Sequence, residues 1–510
     1  MIAGVLVFVC AAAVSLIAVP LTARAAKVLG ALDMPAARKV HDRPIPRMGG
    51  VALAAGTVGV ALPVIIRGIG AIRPALVVMI AAAAGVFVLG MIDDIRGVSP
   101  KLKCLVLLAA ASGVCAAGGC VTRLELGVGW TLELGAWGYP LTVLWIVGVT
   151  VGLNFMDGLD GLAAGIAAIA AAVLLIITLA SGQAALAVLM LALLGALAAF
   201  LAFNFNPASI FMGDCGSMFL GFVLASTTAL SAATTEAFAA IALPAVALGI
   251  PIVDAVLTFI RRGVLERRSV FNAERGHIHH RLISRGIDHR RSVLLIYGVT
   301  LGLTALGMML LLTQGWSSLA VLANLTVMLL LLFHWVGSLK VGDIIRAVRR
   351  NAMIRRQRGR YRRHFEDVQL KLRVARRFED WWADLCEAAE KMEFVGMTLN
   401  LVGRNGSVRP LHWDTPRPVP PVADNQRVYV TLPVRQRRGG DPVRLAVELS
   451  GEQSLELATD ALGYFSRLLD EHSLADLARD RRKPVGPIPV EPAAPERTIE
   501  VVAGVRQTHA

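Results

Sequence analysis

The chain has 510 residues, 55% of them hydrophobic, with a mean hydropathy of +0.63 and a formal net charge of +14. A soluble multidomain protein does not carry that much apolar side chain, so the composition leaves a polytopic membrane protein with a soluble tail. Six cysteines at positions 10, 104, 115, 120, 215 and 386 are too scattered for a disulfide framework or a metal-ligand spacing.

A helix needs about 20 apolar residues to cross the hydrocarbon core. Runs of that kind lie at 2–22, 49–66, 74–92, 103–119, 138–153, 162–180, 184–203, 217–232, 237–260, 292–313 and 317–338, which predicts about eleven spans. The first is followed, not preceded, by Arg24 and Lys27, so it reads as a retained span with its N-terminus outside. Loops after the odd-numbered spans are basic, whereas the other side carries little beyond Arg67, Arg73 and Arg123. Positive charge stays in the cytoplasm, which puts the C-terminus on the inner face of a cytoplasmic membrane. Segment 120–136 alternates Val, Leu and Trp around glycines and reads as a small external hairpin.

After a membrane domain spanning 1–340, residues 341–377 read as a basic juxtamembrane helix or linker, where Arg346 to Arg363 would meet anionic headgroups. Residues 378–482 mix a helix carrying Trp381 and Trp382, alternating strands at 397–402, 428–434 and 443–449, and a second helix from Leu455. Residues 483–510 are a Pro-rich tail expected to be disordered. The fold class is thus an all-α polytopic membrane protein with a small α+β cytoplasmic C-terminal domain. That domain holds no catalytic constellation and is expected to serve a scaffold or regulatory role.

Every acidic or histidine-rich stretch falls at a cytoplasmic membrane edge: Asp93-Asp94, Asn154 to Asp160, Asn204 to Asp214, Asp254, and His277 to His280. Carboxylates near a bilayer are costly and usually face a cavity or pathway. A lone Asp-Gly pair after a helix is more often a simple helix stop, but several such stretches on one face outweigh that reading. The acids offer hard oxygens suited to Mg2+, which takes one or two protein ligands and completes its shell with water and phosphates. That predicts a phosphate-bearing substrate, held by Arg43, Arg47, Lys101, Lys103, Arg275 and the histidines, with a lipid as second reactant. For His277, His279 and His280, phosphate binding or general acid duty outweighs zinc, because no Cys or carboxylate stands at zinc-site spacing and Arg275 and Arg281 flank them.

In order along residues 30–290 the chain carries Asp33-Met-Pro35, Pro44-Ile-Pro46-Arg-Met-Gly-Gly50, Asp93-Asp94 with Ser99-Pro100-Lys101-Leu-Lys103, Asn154-Phe-Met-Asp157-Gly-Leu-Asp160-Gly161, Phe211-Met-Gly-Asp214, and Arg275-Gly-His277-Ile-His279-His280. This series resembles the polyprenyl-phosphate N-acetylhexosamine-1-phosphate transferases of the glycosyltransferase 4 group, most closely their N-acetylglucosamine branch. The resemblance implies transfer of a sugar-1-phosphate from a UDP-sugar to undecaprenyl phosphate, release of UMP, and Mg2+ as cofactor with Mn2+ as its substitute. It implies metal contacts from Asn154 and Asp214, and places Asp93 and Asp94 by the lipid phosphate, one of them as a base. Lys103 would bind phosphate; Arg43, Asp157, Asp160, Asn204 and Phe211 would line the nucleotide site. Arg275, His277, His279 and His280 would hold the pyrophosphate or sugar, with His279 among the catalytic groups. Expected partners are the two substrates and membrane lipids; a homodimer is compatible with this arrangement and nucleic acid is not expected. Thr150 stands where Asn is expected, Glu274 where Asp is, and Ala255 where Thr is. The competing readings are a phospho-N-acetylmuramoyl-pentapeptide transferase-like enzyme, a secondary transporter with midplane acids, and a lipid-linked-sugar flippase.

Overall fold

The structure is a computed structural model and describes residues 2–35, 43–68, 72–127, 130–266, 277–313, 316–336, 341–402, 408–416, 427–434, 443–450 and 455–473. The chain divides into two compact units, Met1–Ile344 and Ile345–Ala510.

The helices of the first unit are α1 (Ile2–Leu29), α2 (Gly49–Gly68), α3 (Pro74–Arg96), α4 (Pro100–Val114), α5 (Gly138–Met156), α6 (Leu162–Ala180), α7 (Ala184–Asn204), α8 (Gly213–Thr235), α9 (Ala239–Ala247), α10 (Gly249–Ile260), α11 (Ile278–Ser284), α12 (His289–Gly307) and α13 (Trp316–Trp335). Among the described residues ten helices are long and apolar enough to cross a membrane, and the α9–α10 pair, bent by 74°, makes an eleventh if counted as one. The expectation of about eleven spans holds. The bend falls at Leu248, between the two helices and three residues before Pro251, where the helix loses an N–H donor. β3 (Arg123–Gly127) and β4 (Trp130–Glu133) form the expected antiparallel hairpin.

The bundle is built around α8, which packs against α2, α3, α5, α6 and α9 and is buried along its membrane-length window. Its sequence explains this, since Gly, Ala, Ser and Thr let neighbouring backbones approach closely. Some of its buried hydroxyls return their protons to the helix itself, as in Thr228 Oγ1 to the Leu224 carbonyl at 2.9 Å and Ser217 Oγ to the Gly213 carbonyl at 3.1 Å. At the start of α8 the approach is tightest: a Cβ on Gly50 would lie 2.2 Å from the Gly216 nitrogen, and one on Gly90 would lie 2.6 Å from the Asp214 carbonyl. Backbone bonds fasten the same region. Phe211 N–H donates to the Pro46 carbonyl at 2.8 Å, and Gly49 and Gly50 donate to Phe211 and Met212 at 2.9 Å each. The residues before α2 also pair on themselves through β1 (Leu32–Asp33) and β2 (Ile45–Pro46).

The second unit contains α14 (Val341–Val374) from Ile345 onward, α15 (Phe378–Lys391), β5 (Gly396–Val402), β6 (Val408–Asp414), β7 (Arg427–Val434), β8 (Val443–Ser450) and α16 (Leu455–Glu471). The strands form an antiparallel sheet in the order β6-β5-β8-β7. β6 escapes the periodicity argument because Pro410 interrupts it; an edge strand tolerates that, and β6 is an edge. The segment read as a basic juxtamembrane helix or linker forms the helix α14, and its Tyr361, Phe365, Val368 and Leu372 belong to this unit's hydrophobic core. Trp381 is buried there and donates its indole N–H to the His472 carbonyl at 2.7 Å. The expected tail from Lys483 lies outside the described residues.

The contact between Gly50 and Gly216 leaves no room for a side chain. Gly50→Val is expected to destabilise the first unit by about 3 kcal/mol or more, read as a lowered Tm or loss of monodisperse protein in detergent.

Candidate active site

The loops expected to converge do so, at one end of the bundle, around the first turn of α8. Asp94, near the end of α3, has no exposed side-chain surface. Its Oδ1 accepts the Asp214 N–H at 2.9 Å and its Oδ2 the Cys215 N–H at 3.0 Å, so it satisfies donors that the start of α8 leaves open. Arg47 closes on the same carboxylate, with Nη2 2.9 Å from Oδ1 and Nε donating to it at 3.1 Å. Gly213 is part of this arrangement: its φ is +74°, and a Cβ there would sit 2.6 Å from Asp94 Oδ2.

Beside it, Lys103 Nζ lies 2.5 Å from both Asp93 Oδ2 and Asp214 Oδ2. Asp93 also accepts the Val98 N–H at 2.6 Å, which holds the short connection between α3 and α4. Asp214 Oδ1 lies 3.5 Å from Arg47. Asn154, at the end of α5, donates to Ser217 Oγ at 2.8 Å, and Ser217 donates to the Gly213 carbonyl at 3.1 Å.

The turn from Asp157 to Gly161 is gripped from three sides. Asn204 accepts the Gly161 N–H at 3.1 Å and donates to the Ile210 carbonyl at 2.9 Å. Tyr297 donates its phenol to the Gly161 carbonyl, and its ring fills the space that a side chain at position 165 would need. His289 Nε2 accepts the Asp160 N–H at 3.0 Å. Asp160 Oδ2 in turn accepts from Asn206 Nδ2 at 2.9 Å and from the Ala208 N–H at 3.0 Å. Asp157 differs from these groups, because its carboxylate accepts no hydrogen bond among the described residues. Burial, then the charges of Asp214 and Asp94, push its pKa up to about 8.

Asp157, Asp160 and Asp214 line a cavity of about 900 Å³ together with Lys27, Arg43, Arg47, Asn204, Phe211, His280 and His289. That size suits a small-molecule site. Among the described residues no three His, Cys, Asp or Glu side chains are arranged to hold a metal ion by themselves. The carboxylates nevertheless suit a divalent cation: Asp93, Asp94 and Asp214 share Arg47 and Lys103, and Asp157 lines the cavity beside Asp214. Asp157 and Asp214, which line the cavity, are oxygen donors of the kind Mg2+ takes, and Mg2+ needs few protein ligands; Asn154, the other expected metal contact, is not in the lining and donates to Ser217.

The three histidines of the 277–280 stretch separate into different environments. His277 Nδ1 lies 2.6 Å from Asp254 Oδ2, and Asp254 Oδ1 accepts the Ile278 N–H at 2.9 Å at the start of α11. His279 is buried, stacked at 5.7 Å on His277, and a Cβ on Gly158 would meet its Nε2 at 2.6 Å. Burial, then the neighbouring His280, His277 and His289, hold its pKa well below the usual imidazole value, so it is neutral. Of the three, His280 lines the cavity.

Residues 76–232 match the family profile described as glycosyl transferase family 4. The chain is 35% identical over 298 residues to the probable undecaprenyl-phosphate N-acetylglucosaminyl 1-phosphate transferase of Bacillus subtilis, covering 58% of this chain and 82% of that protein. The chain belongs to glycosyl transferase family 4. It is also 35% identical over 306 residues to decaprenyl-phosphate N-acetylglucosaminephosphotransferase of Mycobacterium tuberculosis, covering 55% of this chain and 75% of the relative. With undecaprenyl-phosphate alpha-N-acetylglucosaminyl 1-phosphate transferase of Escherichia coli it shares 29% identity over 355 residues, 66% of this chain and 91% of the other.

Against the family expectation, the structure sorts the candidate residues by what they touch. Arg43, Asp157, Asp160, Asn204, Phe211, Asp214 and His280 line the cavity. Asp93, Asp94, Lys103, Asn154, His277 and His279 stand behind that lining, and Arg275 lies outside the described residues. Asp94 accepts bonds from the start of α8 and from Arg47, and His279 packs against Gly158 of the turn and does not line the cavity. Sequence reasoning passed over His289 and Tyr297, and gave Arg47 a phosphate-holding role but not its bond to Asp94. His289 carries a weak signal, a histidine beside two arginines at the entry to a span. Thr150, the departure from Asn, donates to the Ile146 carbonyl at 2.6 Å and packs against Gly221, so it is satisfied within α5. Glu274 lies outside the described residues.

His289→Ala strands the Asp160 N–H and is expected to lower turnover about 10- to 100-fold, with His289→Gln retaining more activity than Ala. For Asp157 the folded pKa of about 8 stands above its unfolded value of about 4, so metal-free protein loses stability as pH rises between them. Thermal melts in EDTA from pH 4 to 9 are therefore expected to fall less steeply for Asp157→Asn than for the wild-type chain.

Proposed function

We propose that the chain transfers N-acetylglucosamine-1-phosphate, or a related N-acetylhexosamine-1-phosphate, from a UDP-sugar to undecaprenyl phosphate and releases UMP. The observation that carries this reading is the Asp157 carboxylate, unbonded and facing a cavity beside Asp214, at the end of a membrane bundle of this family. The named activities of the relatives give the substrate class.

In the transfer, an oxygen of the lipid phosphate forms a bond to the sugar-bearing phosphorus, and the bond from that phosphorus to the bridging oxygen breaks, so that UMP leaves with the electron pair. A phosphate monoester is already largely ionised at neutral pH, so no group need remove a proton from it. Asp157 and Asp214 would hold Mg2+, with Asn154 behind them, and the ion would supply charge neutralisation on the pyrophosphate oxygens. Arg43 and Lys27 on the cavity wall would meet the remaining phosphate charge, and His280 would donate a hydrogen bond to it. Lys103 and Arg47 fix Asp214 at the metal side of the cavity, while the Asn204, Tyr297 and His289 bonds keep Asp157 and Asp160 at a fixed height. Preorganised charge of this kind lowers a phosphoryl-transfer barrier without moving during the reaction. Loop charge supports a cavity and C-terminus on the cytoplasmic side of the cytoplasmic membrane, with the N-terminus outside. A transporter reading has less support, because transporter sites lie near the bilayer midplane and these acids gather at one end of the helices.

Purified protein supplied with Mg2+, UDP-N-acetylglucosamine and undecaprenyl phosphate is expected to release UMP, to stop in EDTA and to recover with Mg2+. Asp214→Ala is expected to lower the rate by about a thousandfold or more. Absence of UMP release across a panel of UDP-amino sugars would overturn the proposal.

A further inference from the structure

α14 carries ten arginines and one lysine against three acids over its 34 residues. Its two faces are chemically different. One stripe, Asn351, Ile354, Tyr361, Phe365, Val368 and Leu372, is buried, and with Arg358 between Ile354 and Tyr361 it runs at alternating three- and four-residue spacing. On that side Arg358 is neutralised: its guanidinium lies 2.6 Å from Asp460 and 3.4 Å from Glu456. The opposite stripe runs through Ile345, Arg349, Met353, Arg356, Arg360 and Arg363 and is exposed. Arg349, Arg356 and Arg360 pair with no carboxylate among the described residues. Interleaved with them are apolar side chains left in the open, Ile345 and Val348 at 47% exposure and Met353 at 63%.

A helix meant only for water has no use for apolar side chains between unpaired arginines, and a protein-facing helix pairs them, as Arg358 is paired. The combination matches an interfacial helix, whose apolar groups enter the acyl boundary while its cations meet phosphate headgroups. Covalent connection agrees with this: Val341 follows Trp335, the last residue of a membrane-length helix, by six residues, about 20 Å of extended chain at most. We propose that the arginine-lined outer face of α14 binds the surface of an anionic phospholipid bilayer. The proposal stands apart from the catalytic reading, because α14 contributes no residue to the cavity. Its effect would be to hold the helix along the membrane and limit the orientations open to the second unit.

The test uses the full-length protein in nanodiscs of phosphatidylcholine alone or of an equal mixture with phosphatidylglycerol. Hydrogen–deuterium exchange is read over residues 345–363. In low salt, exchange is expected to be about tenfold slower in the anionic discs, and the difference is expected to vanish in high salt. The combined variant R349Q/R356Q/R360Q/R363Q is expected to lose the difference, with β5 to β8 exchanging as in the wild type, which shows that the second unit is still folded. Equal exchange in the two disc types in low salt overturns the proposal. So does a slowing that the combined variant retains.

Discussion

The bond pattern of Asp94 is the constraint on which the rest of the site depends. A helix that begins inside a membrane protein exposes backbone N–H groups with no partner, and leaving them unpaired in a low-dielectric interior is costly. Asp94 accepts two of them and is itself balanced by Arg47. That one carboxylate therefore fixes α3, the segment before α2, and α8 against each other. It also determines the direction of Asp214, whose own N–H it holds. The absence of side chains at Gly50, Gly90 and Gly216 permits the backbones to close to this distance.

A frame of this kind lets charge be stored where it is not balanced. Asp93 and Asp214 share Lys103, and Asp94 and Asp214 share Arg47, while the Asp157 carboxylate faces the cavity without a hydrogen bond among the described residues. In isolation that carboxylate would move away or take up a proton. The grip of Asn204, Tyr297 and His289 on the neighbouring turn prevents the first, and the raised pKa of Asp157 expresses the second. The electrostatic excess at the cavity floor is thus a property of a rigid backbone, and a bound cation would relieve it.

The second unit obeys different rules. Its core is an ordinary soluble one, with Trp381, Phe394 and Phe465 buried between helices and sheet. α14 takes part in that core along one stripe and presents arginines on the other, so a single helix serves packing and surface charge at once.

Much of this protein is local information, and the sequence by itself determined it. Span number and length, the hairpin at 123–133, and the gathering of acids and histidines at one membrane face follow from apolar run length, alternation and loop charge. Each is a property of neighbouring residues. The assignment of individual roles is not local. Asp94 meets its α8 partners across 120 and 121 residues, and His289 meets Asp160 across 129. Two adjacent aspartates, or three histidines within four positions, are alike in sequence; they become a cap, a lysine partner, a buried neutral ring or a cavity wall only when distant elements supply the hydrogen bonds. Tertiary structure alone decided which acids were consumed by packing and which were left facing the cavity, because a carboxylate's chemistry is set by the donors around it.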